Sequence, residues 1–134
     1  MALIGLLDTN IISALMRDGS GRLWQRAKAA GADAYCTSAI VAAELRFGAA
    51  RVASHRIRAE VEEILQRLPV LPFEVPADRQ YAAIRTHLEQ SGTPIGPNDL
   101  FIAAHALTLD LTLVTANVRE FSRVPGLKLE NWLD

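Results

Sequence analysis

A short apolar segment at residues 2–7 ends abruptly at Asp8-Thr9-Asn10, and this feature constrains the fold more than any other. A continuous apolar run of that length is typical of a strand buried on both faces. Similar runs return at residues 34–37 and 111–114, and prolines bracket a weaker run at 70–73, which favours an edge position. Helical patterns separate these runs. The alternation predicts an α/β fold of three α/β/α layers, with a short, mostly parallel central sheet flanked by helices.

Seven helical segments are expected along the chain. Thr9 or Asn10 can cap the first of them, and Ser38 can cap the third. A final edge strand is predicted at residues 127–129. The helical segments are 9–16, 20–30, 38–47, 54–68, 77–90, 99–109 and 117–121. No linker or repeat interrupts this order, so we expect residues 1–134 to form a single domain.

Composition excludes several classes of protein. Half of the 134 residues are hydrophobic and 22% are charged, which excludes a disordered tail. The formal net charge of −1 provides no global positive field toward nucleic acid or a membrane surface. The single Cys36 cannot form an internal disulfide and fits a reducing compartment. No Lys or Arg precedes the first apolar segment, and residues 100–116 are too short and too polar to span a bilayer, so we expect a cytoplasmic protein.

Three acidic residues are the candidates for a functional site. Asp8 follows the first strand, and open parallel sheets bind ligands beyond the carboxyl ends of their strands, although Asp8 could simply cap the next helix. Glu44 shares a helix face with Val41 and Phe47, which predicts an inward carboxylate; a rim position or pairing with an Arg is the alternative. Asp99 begins a strongly apolar helix that should draw it inside, although the helix dipole alone could explain an acid there.

Convergence of these acids would create a repulsion that a divalent cation relieves. Oxygen ligands without nearby Cys or zinc-spaced His residues favour Mg²⁺ or Mn²⁺, which can polarise a phosphodiester and activate water. The sequence contains no Walker-type loop and no Gly-x-Gly-x-x-Gly, so a nucleotide cofactor is not expected. His105 lies on an apolar helix and is interpreted as a core histidine. Asn117 and Glu120 are secondary candidates, because their spacing also matches a helix cap.

Basic charge concentrates in one segment. Residues 46–58 carry Arg46, Arg51, Arg56 and Arg58 without any acid. Arg side chains suit phosphate or carboxylate partners, so this segment is a candidate for contact with RNA or an acidic peptide. A solvated helix face paired with the following Glu residues is the alternative.

The ordered motifs resemble PIN-domain ribonucleases, specifically the VapC toxins of type II toxin–antitoxin systems. The resemblance covers essentially the whole chain. Its carriers are Leu7-Asp8-Thr9-Asn10, Ala43-Glu44-Leu45 with Gly48-Ala49, Gly96-Pro97-Asn98-Asp99 with Ile102-Ala103-Ala104-His105-Ala106, Leu113-Val114-Thr115-Ala116-Asn117 with Arg119-Glu120-Phe121, and the closing segment 123–132. Each motif is weak alone, whereas the ordered set is specific.

The resemblance implies a catalytic site and its partners. Asp8, Glu44 and Asp99 match the acidic residues of the family, with Asp8 and Asp99 as expected metal ligands. Asn117 stands where many PIN domains have a further acid, and Glu120 matches an acidic position that could act through water. The remaining secondary site candidates are Thr9, Asn10 and Thr115. The family cleaves structured RNA, often tRNA, commonly forms homodimers, and is inhibited by a VapB antitoxin through which it reaches operator DNA only indirectly.

We therefore expect a Mg²⁺- or Mn²⁺-dependent endoribonuclease in which metal-activated water attacks the phosphorus. One alternative is a catalytically silent module that only docks an antitoxin-like partner. Another is a phosphotransferase that uses Asp8 as the phosphorylated residue. The latter normally needs a second nearby Asp and a Lys, whereas Lys28 and Lys128 lie outside the acidic motifs.

Overall fold

The central sheet is entirely parallel and has the strand order β3-β2-β1-β4-β5. This computed structural model describes residues 2–31 and 33–133. β1 pairs with β2 and β4, so that Gly5 faces both Tyr35 and Thr112. The consecutive residues Leu6 and Leu7 point to opposite faces of the sheet and are both fully buried, so both faces of the central strand are covered, as the α/β/α prediction requires. The strands are β1 Gly5–Leu7, β2 Tyr35–Ser38, β3 Val70–Leu71, β4 Thr112–Val114 and β5 Leu129–Glu130.

The described ranges contain all seven predicted helices, with ends displaced by a few residues. They are α1 Thr9–Met16, α2 Arg22–Ala29, α3 Ala39–Arg51, α4 His55–Arg67, α5 Ala77–Gln90, α6 Pro97–Thr108 and α7 Val118–Phe121. The largest difference is at α3, which continues to Arg51 and does not end at residue 47, and α6 begins at Pro97 and not at Asp99. Proline suits the first helical position because the missing N–H would have no helical partner there. No helix in the described part of the chain is long and apolar enough to cross a membrane.

Helix caps fix the chain at the carboxyl ends of the strands. Asp8 caps α1, because its Oδ1 accepts a hydrogen bond from the Thr9 N–H at 2.8 Å. The expectation that Thr9 or Asn10 would be the cap is wrong, since both residues lie inside α1. Ser38 caps α3 as predicted, with its Oγ accepting from the Ile40 N–H at 3.1 Å. Asp8 and Ser38 therefore mark the same edge of the sheet.

The core lies between the sheet and the helices that bear the candidate site. Ile11 and Ile12 of α1 and Ile102 of α6 are fully buried, together with Phe121 of α7. Ala103, Ala104 and Ala106 of α6 are also fully buried, which allows that helix to approach its neighbours closely. The Cys36 thiol is buried as expected, and burial raises its pKa to about 11. This core packs directly beneath the carboxyl ends of β1, β2 and β4.

Candidate active site

Asp8 is a buried carboxylate at the end of β1. It is 4% exposed, and its Oδ2 accepts a hydrogen bond from Thr115 Oγ1 at 2.8 Å. Asn10 Nδ2 lies 3.4 Å from the same oxygen. Burial raises the pKa of Asp8, the donors from Thr115 and Thr9 lower it, and the charge of Glu44 raises it again. Asp8 therefore caps a helix and also faces other acids, so the two interpretations of this residue are compatible.

Glu44 is half-buried at the rim of the site, which agrees with the alternative interpretation of this residue. Val41 on the same face of α3 is fully buried and Phe47 is 63% exposed, so Glu44 stands where this face passes from the core to the surface. Thr9 Oγ1 donates to Glu44 Oε1 at 2.6 Å, and Asn98 Nδ2 donates to Oε2 at 3.2 Å. The alternative partner Arg46 instead pairs with Glu62 at 2.9 Å. Glu44 is consequently oriented by neutral donors at the edge of the acidic cluster.

Asp99 is the third residue of α6 and carries the strongest electrostatic signal. Burial raises its pKa to about 7, and the charges of Asp8, Glu120 and Glu44 add to the effect, as does hydrogen bonding with Glu120. The dipole at a helix N-terminus would stabilise the charged form. The raised pKa instead reflects burial and the neighbouring carboxylates. The purely structural interpretation of Asp99 does not explain this crowding.

Glu120 connects α7 with the start of α6. Its Oε1 accepts from the Gly96 N–H at 2.9 Å and its Oε2 from Asn117 Nδ2 at 2.8 Å. These donors lower the pKa of Glu120, the Asn117 amide having the larger effect. Asn117 occupies the cap position of α7, but its side chain makes no cap hydrogen bond and is directed to Glu120. Both secondary candidates thus lie in the cluster.

The remaining secondary candidates, Thr9, Asn10 and Thr115, make hydrogen bonds around these acidic residues. Asn10 Oδ1 accepts from the Ala116 N–H at 3.0 Å, and Thr115 Oγ1 accepts from the Asn117 N–H at 3.0 Å. The first contact joins the segment after β4 to α1, and the second fixes the turn within that segment. Asn98, which orients Glu44, was not identified from the sequence as a site residue. Its position beside Asp99 in Gly96-Pro97-Asn98-Asp99 is the signal that could have indicated it.

The acidic cluster, defined as Asp8, Glu44, Asp99 and Glu120, has the chemistry of a divalent-metal site. The ion pairs found in residues 2–31 and 33–133 include none of these four acids. Across the same residues, no three His, Cys, Asp or Glu side chains already stand at distances that would hold a metal ion. The donor set fits Mg²⁺ or Mn²⁺, because all donors are oxygens. Burial and the neighbouring carboxylates raise the pKa of Asp8 and of Asp99, and a bound cation would offset that effect.

The basic segment is partly neutralised. Arg46 pairs with Glu62, and Arg56 lies 3.8 Å from Glu60. Arg51 instead covers the Phe47 ring, and Arg58 contacts the His55 ring. The alternative of a solvated, paired helix face therefore describes two of the four arginines.

A groove leads away from the acidic cluster along α4. It begins at Thr9 and Glu44 and is lined further on by Met16, Gly48 and Ile57. Met16 also lines a second depression, together with Trp24 and Arg67. Trp24 and Arg67 line a third depression as well. This groove was not predicted from the sequence, although the small residues at 48 and 49 of α3 leave the space for it.

Comparisons with known proteins agree with this geometry. Residues 5–127 match the PIN domain family. The chain is 37% identical over 132 residues to ribonuclease VapC2 of Rickettsia felis, covering 97% of this chain and 98% of that protein. It is 43% identical over 98 residues to the tRNA(fMet)-specific endonuclease VapC of Salmonella typhimurium, covering 72% of this chain and 74% of that protein.

Solved structures show the same likeness in three dimensions. The crystal structure of Rickettsia felis VapBC2 bound to a promoter DNA fragment matches with a TM-score of 0.91 at 35% identity, covering 97% of this chain and 99% of that one. DNA-bound VapBC from Salmonella typhimurium matches with a TM-score of 0.88 at 36% identity, covering 98% and 99%. The fold thus agrees over nearly the full length of both solved chains. The chain belongs to the PIN domain family, among its VapC members.

Proposed function

We propose that this chain is the toxin of a type II toxin–antitoxin pair and cleaves RNA phosphodiester bonds with Mg²⁺ or Mn²⁺. The observation that carries the proposal is the meeting of Asp8, Glu44 and Asp99, from three distant parts of the chain, with the pKa of Asp99 raised to about 7. The names of the relatives support RNA, and specifically tRNA, as the substrate class. We further propose that residues 1–134 act as one domain in the cytoplasm.

Asp8 and Asp99 would hold the ion, because they are the innermost acids of the cluster. A bound divalent ion lowers the pKa of water and polarises a phosphodiester oxygen. Thr115 and the Thr9 N–H fix the carboxylate plane of Asp8 before any ligand arrives. That fixed geometry reduces the reorganisation required at the reaction centre.

Glu44, at the rim of the site, would receive the proton that the attacking water loses. Thr9 and Asn98 orient its two oxygens, which leaves lone pairs on each for a further donor. A water attacking phosphorus must lose a proton, and a carboxylate within hydrogen-bond reach can take it. The hydrogen bonds from Asn117 and Gly96 lower the pKa of Glu120, so this carboxylate stays ionised. It adds negative charge beside Asp99.

The surroundings of the site suit the partners that we propose. Arg51 and Arg58, with Arg46 and Arg56 beside them, are placed to contact RNA phosphates or an acidic antitoxin segment. The groove along α4 offers an extended path that ends at Glu44, which suits the inhibitory segment of a VapB-type antitoxin. The similarity to VapBC complexes with DNA supports such a partner, with operator DNA reached only through it. We also propose a homodimer as the active form.

The decisive experiment measures cleavage of a defined tRNA by the purified protein in Mn²⁺, with mapping of the RNA ends. Asp8→Asn and Asp99→Asn should each abolish the Mn²⁺-dependent cuts, and chelation of the metal should do the same. Asp33→Asn is the matched control, because it makes the same chemical change at an exposed residue outside the cluster. Equal cleavage by the wild type and both site variants would refute the assignment.

A silent docking module is the second candidate, and one observation favours it. No three potential ligands are arranged for a metal within the described ranges. Calorimetry with Mn²⁺ separates the two functions, since a silent module predicts no binding that depends on Asp99. A phosphotransferase using Asp8 has less support, because Asp8 is buried and Lys128 pairs with Asp110 away from the cluster.

A further inference from the structure

A buried hydrogen bond joins the two helices that carry Glu44 and Asp99. His105 Nδ1 of α6 lies 2.8 Å from Ser38 Oγ at the start of α3. His105 is 2% exposed and Ser38 is fully buried. Apart from this contact, only Thr115 with Asp8 forms a fully buried side-chain pair in residues 2–31 and 33–133. A buried polar pair in an otherwise apolar contact demands one specific alignment of its two helices.

Both tautomers of the neutral His105 ring can make this bond. Ser38 Oγ accepts the Ile40 N–H and keeps a second lone pair and its hydroxyl hydrogen for His105. Nδ1 accepts from the hydroxyl when the ring proton is on Nε2, and it donates to Oγ when the proton is on Nδ1. Burial lowers the pKa of His105, which favours the neutral ring in both cases.

The bond lies deep behind the site on both helices. Glu44 is six residues after Ser38, and Asp99 is six residues before His105. At a rise of about 1.5 Å per residue, each acid lies roughly 9 Å from the bond along the axis of its helix. At the site end, the same two helices meet again where Asn98 donates to Glu44. The helices are thus connected at two points, which fixes their relative rotation.

We propose that His105 is a positioning residue that sets the distance between Glu44 and Asp99 through its hydrogen bond to Ser38. This inference rests on the proposed function for its consequence in catalysis. Loss of the bond would let α3 and α6 slide, and displacements of about 1 Å can cost a hundredfold in rate. The loss of activity should appear in kcat, since His105 and Ser38 are both buried and neither can contact a bound RNA.

A matched pair of substitutions tests the proposal. His105→Asn keeps a polar atom on Cγ, where Nδ1 is attached, whereas His105→Gln moves the same amide one bond farther. We expect His105→Asn to retain kcat within about threefold and His105→Gln to lose about tenfold or more, with KM for RNA changed by less than about twofold. His105→Leu should resemble His105→Gln. Ile84→Val on α5 is the control for lost stability, because Ile84 is buried in a helix that carries no site residue.

A second measurement needs neither RNA nor metal. The side-chain amide signal of Asn98 in an NMR spectrum reports its contact with Glu44, and it should shift in His105→Gln while keeping its position in His105→Asn. Equal kcat and equal Asn98 signals in the two variants would overturn the proposal, as would an equal loss in Ile84→Val. If the wild-type protein cleaves no RNA, the proposed function fails, and the Asn98 signal still decides whether His105 aligns the helices.

Discussion

Asp99→Asn should stabilise the metal-free protein at pH 8, although it removes a residue that we propose as a metal ligand. The folded state holds this carboxylate among other acids and raises its pKa from 3.8 to about 7. Ionisation is therefore easier in the unfolded chain. The unfolded state consequently gains stability as the pH rises from about 4 to 7, and a neutral amide at position 99 would avoid that loss.

The magnitude follows from the same difference. A pKa that rises from 3.8 in the unfolded chain to about 7 in the folded state lowers the free energy of unfolding by at most about 4 kcal/mol. Asp99 is only partly buried, and solvent screening reduces the effect, so we expect about 1–2 kcal/mol at pH 8. The advantage of Asp99→Asn should be complete above pH 7 and should shrink as the pH falls toward 4, where both states hold the proton.

Urea unfolding in the presence of a chelator measures this difference, with tryptophan fluorescence as the signal. Asp33→Asn, at an exposed position, should show no comparable gain at either pH. Adding Mn²⁺ should reverse the order, because an ion that binds only the folded wild-type site stabilises that protein alone. A variant less stable than the wild type at pH 8 without metal, or a gain independent of pH, would refute the electrostatic reasoning.

Three further predictions concern Glu44, the basic segment and the core. Thr9→Val should lower kcat for RNA cleavage by about tenfold, because Glu44 loses its 2.6 Å donor, and Thr9→Ser should restore it. Replacing Arg51 and Arg58 with Gln should weaken RNA binding and reduce the dependence of the binding constant on salt concentration, as measured by filter binding. Phe121→Ala should lower the free energy of unfolding by about 3–5 kcal/mol in urea titrations, whereas Val75→Ala, at a residue 76% exposed, should change it by less than about 0.5 kcal/mol.

The strands and helices could be predicted because their signals are local. Apolar runs and helical spacing located each helix of the described residues, and the polar break at Asp8 identified the edge that carries the candidate site. The cap of α1 could not be chosen, because Asp8, Thr9 and Asn10 are all favoured cap residues and lie side by side. The short edge strands β3 and β5 depend on their partners, and two-residue segments contain no periodicity that would fix their limits.

The orientation of Glu44 could not be predicted from the pattern of its helix. Phe47 and Val41 suggested a common buried face, yet Phe47 is exposed while Val41 is buried. An apolar residue on the surface is common in folded proteins, so hydrophobicity alone does not identify the inner face. Contacts such as Asn98 with Glu44, 54 residues apart, arise only from the packing of α3 against α6.

The identity of residue 117 follows from the same electrostatics as the Asp99 prediction. The Asn117 amide donates to Glu120 and lowers the pKa of that acid. A carboxylate at this position would lose the donor and bring a fifth negative charge against Glu120, whose charge already raises the pKa of Asp99. The repulsion within the cluster would then increase, and a further proton or cation would be needed to offset it. An amide at residue 117 instead favours the ionised form of Glu120 and adds no charge beside Asp99.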